Sequence, residues 1–156
     1  MKLSNLDVRI LEELQNNADQ TNLALAEKIG LSAPACLKRV QRLKATGVIQ
    51  RIVAIVSPQV VGRRLNMIVE IKTLRDRAKL DQQFIVALSK APEVKQCYQV
   101  TGDVDFVLIV NVADIFEYEA FCERVIYSHK DLKKFTTLIS IRCTKFDLCE
   151  HVLSKE

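Results

Sequence analysis

The chain has no tryptophan, only two histidines, and few glycines or prolines to turn on. Its five cysteines, Cys36, Cys97, Cys122, Cys143 and Cys149, contain no C-x-x-C pair, and His129 and His151 are not spaced to complete a metal set with them. Neither a zinc site nor a disulfide framework is therefore expected. Cys97, Cys122 and Cys143 sit among apolar neighbours and read as small buried thiols. The longest apolar runs, such as Phe106 to Val110, are far too short to span a bilayer, so no membrane partner is expected. Met1-Lys2 leads into a polar start without the apolar core of a signal peptide, and cytoplasmic residence is the expectation. No Ser/His/Asp set, paired buried acids or phosphate loop emerges, which ranks an enzyme last among the function classes and leaves no cofactor implied.

What is present is an ordinary globular composition with an uneven charge. At 156 residues, 49% of them hydrophobic, the chain can bury a real core as one domain or two small ones. A net charge of +4 says little by itself, but its distribution is informative. Residues 1–27 set Lys2 and Arg9 against Asp7, Glu12, Glu13, Asp19 and Glu27. From Lys28 to Arg51 the chain carries Lys28, Lys38, Arg39, Arg42, Lys44 and Arg51 with no acid at all. A concentrated basic stretch of this kind is an electrostatic footprint for phosphate.

That stretch also has a layout. Ser4 and Asp7 form the capping box of a first helix whose Leu6, Ile10, Leu11 and Leu14 recur at helical spacing. A second helix runs from about Asn22 to Ile29, with Leu25, Ala26 and Ile29 inward, and Gly30 supplies a tight turn. Ser32 caps a third helix with Pro34 in its first turn, where the missing N–H costs nothing. Leu37, Val40 and Leu43 are expected to face its core, which turns Lys38, Arg39 and Arg42 outward. Helix, glycine turn and basic helix is the layout of a DNA-reading helix-turn-helix. In that reading the small N-terminal residues Ser32, Ala33, Ala35 and Cys36 enter a major groove, while Lys38, Arg39, Arg42 and Arg51 hold phosphates.

Beyond it the composition changes to alternating β-formers. Ile49 to Val56 reads as a linking strand, and Ser57-Pro58 and Gly62 break the next connection. Then come a strand from Asn66 to Leu74 and a helix from Arg77 to Lys90, with Leu80, Phe84, Ala87 and Leu88 inward. Strands at Val94 to Thr101 and Phe106 to Val112 follow, then a helix capped by Asp114 and Glu117, and a last strand at Phe135 to Thr144. The order β-α-β-β-α-β is the ferredoxin-like arrangement, so the fold class is α+β: a helix-turn-helix domain followed by a ferredoxin-like sandwich. The expected division is 1–51 for the reader, 52–65 for a linker strand and hinge, and 66–156 for the second domain. The sheet face without helices needs a cover, most simply a second subunit.

Between the middle strands lies Thr101-Gly102-Asp103-Val104-Asp105. Gly102 lets backbone amides approach a ligand, and the carboxylates offer partners for a cation, which would suit a free amino acid. From spacing alone, a hairpin turn with solvated acids is the stronger reading.

The residues Leu6-Asp7, Ile10-Leu11, Leu14-Gln15, Leu25-Ala26 and Ile29-Gly30-Leu31-Ser32 resemble those of the leucine-responsive and asparagine-operon regulators, the Lrp/AsnC or feast/famine family. Pro34, Cys36-Leu37-Lys38-Arg39-Val40, Arg42-Leu43 and Gly47-Val48-Ile49 continue the resemblance, as do Gly102-Asp103-Val104-Asp105-Phe106 and Thr136-Thr137. It runs essentially end to end, with Val104 standing where the family often has Tyr and Ala35 where a second Pro is frequent. The resemblance implies a transcription regulator whose winged-helix-like reader binds promoter DNA, which dimerises through its sheets and commonly assembles into octamers. It also implies an amino-acid effector held between dimers by Tyr98, Gly102, Asp103, Val104 and Asp105, with Thr136 and Thr137 from a neighbouring subunit. Leucine or methionine is the expected effector, because the surrounding strands offer few polar side chains beyond the aspartates and threonines. The competing expectation is an architectural protein that wraps DNA without a ligand.

Overall fold

The structure, a computed structural model, describes residues 2–74 and 82–150. They divide into two compact units, one made by the chain up to Ile55 with the tail from Lys145 onward, the other by Val56–Thr144.

The first unit is three helices around one small core. Helix α1 (Asn5–Asn16) starts at a complete capping box: the Asp7 amide donates to Ser4 Oγ, and the Asp7 carboxylate accepts from the Ser4 amide at 3.0 Å. Helix α2 (Asn22–Ile29) is capped by Thr21, whose hydroxyl accepts from the Ala24 amide at 3.1 Å. It stops at Gly30, where φ is +80°, a left-handed conformation that costs glycine nothing. Helix α3 (Ala33–Ala45) follows with Pro34 in its first turn; Ser32 holds the N-cap position, but its hydroxyl makes no capping hydrogen bond. Instead Asn22 Nδ2 donates to the Ala33 carbonyl at 2.8 Å, tying the start of α3 to the start of α2.

The inward stripe of α3 differs from the expected one by a single residue. Cys36 and Leu43 are fully buried with Ile10, Leu25, Ala26 and Ile29, and Val40 packs against them, whereas Leu37 is 45% exposed. Cys36, Val40 and Leu43 follow the i, i+4, i+7 spacing of a helix face, while Leu37 lies about 100° round from Cys36. Cys36 is accordingly a core residue, and burial pushes its thiol pKa up.

The tail returns to this unit rather than staying with the second. Gln15 Nε2 donates to the Glu150 carbonyl at 2.9 Å, and the Glu150 amide donates back to Gln15 Oε1. The stretch from Ile49 to Val56, expected as a linking strand, joins no strand among the described residues and leaves Ile52, Val53, Ile55 and Val56 exposed. Their β-branched side chains favour extended backbone, but a strand forms only where a second strand supplies hydrogen bonds.

The second unit runs β1 (Leu65–Thr73), α4 (Gln82–Lys90), β2 (Val94–Gln99), β3 (Phe106–Val112), α5 (Ile115–Phe121), a π-helical turn (Cys122–Ile126) and β4 (Leu132–Ile139). The strands form one antiparallel sheet in the order β2-β3-β1-β4, the ferredoxin-like arrangement. Strict alternation buries Met67, Val69 and Ile71 of β1 and Phe106, Leu108 and Val110 of β3 against Phe84 and Leu88 of α4 and Phe121, Val125 and Ile126. Ala87, expected inward on α4, is exposed, and Ile85 takes part instead; Leu80 lies outside the described residues. Strand β4 begins and ends earlier than expected, at Leu132 and Ile139, because its register is set by the length of β1 beside it. The opposite face of the sheet carries no helix among the described residues, with Ile68, Tyr98 and Leu138 exposed.

Candidate functional site

The residues expected to bind DNA and ligand fall in two places, one on each unit. On the first unit, the six positive residues of the basic stretch separate into two groups. Asp7, only 1% exposed, accepts from Arg39 Nη1 at 3.1 Å and Arg42 Nη2 at 2.7 Å, and Lys28 pairs with Glu13 at 2.9 Å. Arg39 and Arg42 are thus turned toward the N-terminus of α1 instead of standing free on an outer face. They are three residues apart on α3, so one carboxylate can hold both. Burial alone would push the Asp7 carboxyl up; the hydrogen bonds from Ser4 and from both guanidinium groups outweigh it and hold the pKa at about 2.

Lys38, Lys44 and Arg51 have no ion-pair partner among the described residues, and all three are exposed. Ser32 and Ala35 are also exposed at the start of α3, Ala33 is half-buried, and Cys36 is withdrawn into the core. The solvent face of α3 is therefore Pro34, Ala35, Leu37, Lys38, Gln41 and Lys44. Leu37 and Gln41 were missed as surface residues because the apolar stripe was set one position late, and Lys44, counted in the basic stretch, was left out of the expected DNA contacts. Treating Cys36 as a small hydrophobe would have turned Leu37 and Gln41 outward. Gln41 is notable because its amide can donate and accept at one base edge.

On the second unit, Gly102 has a φ of +114°, and a Cβ there would meet no atom within 4 Å. Its backbone conformation, rather than crowding, requires glycine. Asp105 is 7% exposed and works inward: its carboxylate accepts from the Thr73 amide at 2.8 Å and the Thr73 hydroxyl at 2.9 Å. Its amide donates to the Ile71 carbonyl, clamping the loop to the end of β1. Asp105→Ala is expected to lower the stability of this unit by about 2 kcal/mol, since it strips bonds to a charged acceptor and strands a buried amide. Thermal unfolding followed by circular dichroism checks it.

Asp103 and Val104 instead border an open cavity of about 230 Å³, shared with Glu70, Lys72, Lys133, Lys134, Phe135 and Thr136. Lys72 Nζ donates to the Asp103 carbonyl, which fixes the loop to the strand that forms the floor. The expected threonines separate here. Thr136 pairs with Glu70 on the open sheet face and lines the cavity. Thr137 pairs with Val69 on the helix-covered face, where its hydroxyl meets Tyr118. Neighbouring residues of a strand point to opposite faces, so Thr136 and Thr137 of one chain cannot enter one pocket. Tyr98 shares an open-face row with Val107, Glu70 and Thr136 but stands three strand spacings from Thr136, roughly 14 Å. A single amino acid cannot bridge that span within one chain. Glu70, Lys72, Lys133 and Lys134 were missed; the alternation of Glu70 and Lys72 on β1 was the available signal, and starting the last strand at Phe135 hid the two lysines.

Among the described residues no group of His, Cys, Asp and Glu could hold a metal ion, and no helix is long and apolar enough to cross a membrane.

Residues 66–147 match the family model of the Lrp/AsnC ligand binding domain, and residues 3–50 match one for winged helix-turn-helix DNA-binding. A relative in Sinorhizobium fredii, described as an uncharacterized HTH-type transcriptional regulator, is 43% identical over 139 residues, which is 89% of this chain and 82% of that one. An AsnC family transcriptional regulator from Agrobacterium tumefaciens superposes with a TM-score of 0.85 at 32% identity, covering 94% of this chain and 95% of that one. A transcriptional regulator from Neisseria meningitidis, solved as an L-Met complex, gives 0.86 at 26% identity, with 96% of each chain covered.

Proposed function

The chain belongs to the Lrp/AsnC family of DNA-binding transcriptional regulators and carries that family's ligand-binding domain, and from this premise we propose that a free amino acid taken up beside the Gly102 loop sets how it binds promoter DNA. The observation that carries the proposal is the cavity at Asp103 and Val104, where carboxylates and ammonium groups both converge. An amino acid presents an ammonium and a carboxylate about one carbon apart, and a site lined by both signs of charge can hold each. Leucine or methionine is the aliphatic version of the proposal, and the L-Met complex of the Neisseria regulator supports an amino acid in a domain of this kind.

For the reader, the proposed contacts are Ser32, Ala33, Ala35, Lys38 and Arg51, joined by Gln41 and Lys44. Lys38, Lys44 and Arg51 supply phosphate contacts, and the first turn of α3 meets base edges. Arg39 and Arg42 act through Asp7, by holding α3 against α1, and Cys36 acts through the core. Cytoplasmic residence and pairing of copies through the open sheet face, with dimers building an octamer, belong to the same proposal; the exposed Ile68, Tyr98 and Leu138 support the pairing. No enzymatic step is proposed.

A ligand that couples to DNA binding must change affinity by its coupling free energy, typically on the order of 5- to 150-fold. Sedimentation velocity and DNA mobility shifts, each with and without the twenty proteinogenic amino acids, test the coupling. At least one amino acid is expected to shift mass distribution or DNA affinity by that margin. No shift from any of them would sink the effector half and leave a ligand-independent architectural protein that wraps DNA.

A further inference from the structure

We infer that the cavity beside Gly102 is built for an amino acid carrying a second carboxylate, of the aspartate or glutamate type, rather than for an aliphatic one. This rests on the amino-acid reading above and sharpens it from the charges of this chain.

Lys72 and Lys134 are direct partners across β1 and β4, and both line the cavity. Like charges facing each other across a strand pair repel, and an anion between them removes the repulsion. Lys133, left unpaired where the β1–β4 register shifts, lines the same cavity and brings a third positive charge to it. None of the three has an ion-pair partner among the described residues; Lys72 meets only a backbone carbonyl, that of Asp103. The cavity's carboxylates are Glu70 and Asp103, so three lysines against two acids leave one positive charge uncompensated. Glu70 lies one open-face row from Lys72, opposite Thr136, which puts an acceptor for the ligand ammonium beside the pair of cations.

The charge balance then discriminates between ligands. A zwitterion with an aliphatic side chain is neutral and leaves the surplus in place. Its side chain brings no charge to the lysines that line the cavity. A dicarboxylic amino acid carries one net negative charge. Its ammonium can meet Glu70 or Asp103, one carboxylate the Lys72–Lys134 pair, and the other Lys133. The four positive and four negative charges of site and ligand then balance.

Isothermal titration of the full-length protein with L-glutamate, L-aspartate, L-leucine, L-methionine, succinate and inorganic phosphate tests this. One of the two acidic amino acids is expected to bind at least about tenfold more tightly than leucine or methionine. Lys134→Gln is expected to erase most of that preference. Because Lys134 is exposed, the variant should fold, and an unchanged melting profile in the absence of ligand verifies that it has. Binding of leucine or methionine without the acidic amino acids would overturn this inference and leave the amino-acid reading standing. Succinate or phosphate binding as tightly as either amino acid would overturn it by making the site a plain anion trap. No binding of any amino acid would overturn both.

Discussion

Replacing Asp7 with alanine is expected to destabilise the reader unit by about 3 kcal/mol, which for a unit of this size lowers its melting temperature by on the order of 10–20 °C. The Asp7 side chain is almost wholly buried and closes three interactions at once: the α1 capping box with Ser4, the bond to Arg39 and the bond to Arg42. Loss of the cap contributes about 1 kcal/mol. The rest comes from bonds between charged groups, moderated because both guanidinium groups keep access to water. The pH dependence has a definite sign. The folded-state pKa of about 2 lies below the ordinary 3.8, so Asp7 stabilises the fold fully above that ordinary value and loses its contribution as pH falls toward 2. The lost part is on the order of 2 kcal/mol. Urea unfolding of parent and Asp7→Asn between pH 5 and pH 2 reads this directly. The parent should lose stability across that window, the variant much less, and parallel curves would dismiss the Asp7 pin.

Lys38→Ala combined with Lys44→Ala is expected to weaken binding to every DNA sequence by roughly 10- to 100-fold near 0.1 M salt and to flatten the salt dependence by about two phosphate contacts. These two lysines are exposed on the solvent face of α3 and have no ion-pair partner among the described residues, so their charge is available to a phosphate. Arg39→Ala should behave differently, because its guanidinium is engaged with Asp7 and Ser4. It is expected to lower thermal stability while leaving the salt slope of the folded protein nearly unchanged. Fluorescence anisotropy over a salt series separates the two cases. Equal slopes for the parent and the lysine double variant would show that α3 does not present this face to DNA.

The helix boundaries of the reader were legible because they are local. Ser4 with Asp7, Gly30 and Pro34 each act within a few residues of themselves. The sheet's core was equally legible, since Met67, Val69 and Ile71 alternate in the chain as they do in the fold. Strand ends were less so. Leu132 and Ile139 bound β4 because β1 offers partners from Met67 to Thr73, and no residue of β4 encodes the length of β1.

Charge pairing was the least legible of all. The basic stretch looked like six free cations, yet half of them are held by Asp7 and Glu13, more than a turn of helix away in sequence. In the loop, Asp103 and Asp105 are chemically the same residue two positions apart. One borders an open cavity and the other is spent inside on Thr73.

By itself the sequence determined which stretches become helix or strand, the βαββαβ order, and the family the chain belongs to. All of these depend on residue types at short, regular spacing, or on their order along the chain. Only the tertiary structure decided which arginines are locked, which threonine faces the cavity, and that Lys72 meets Lys134. These are contacts between segments whose separation in sequence sets no distance in space, and at such range a charge is free or spoken for only once the backbone has brought, or failed to bring, its opposite within reach.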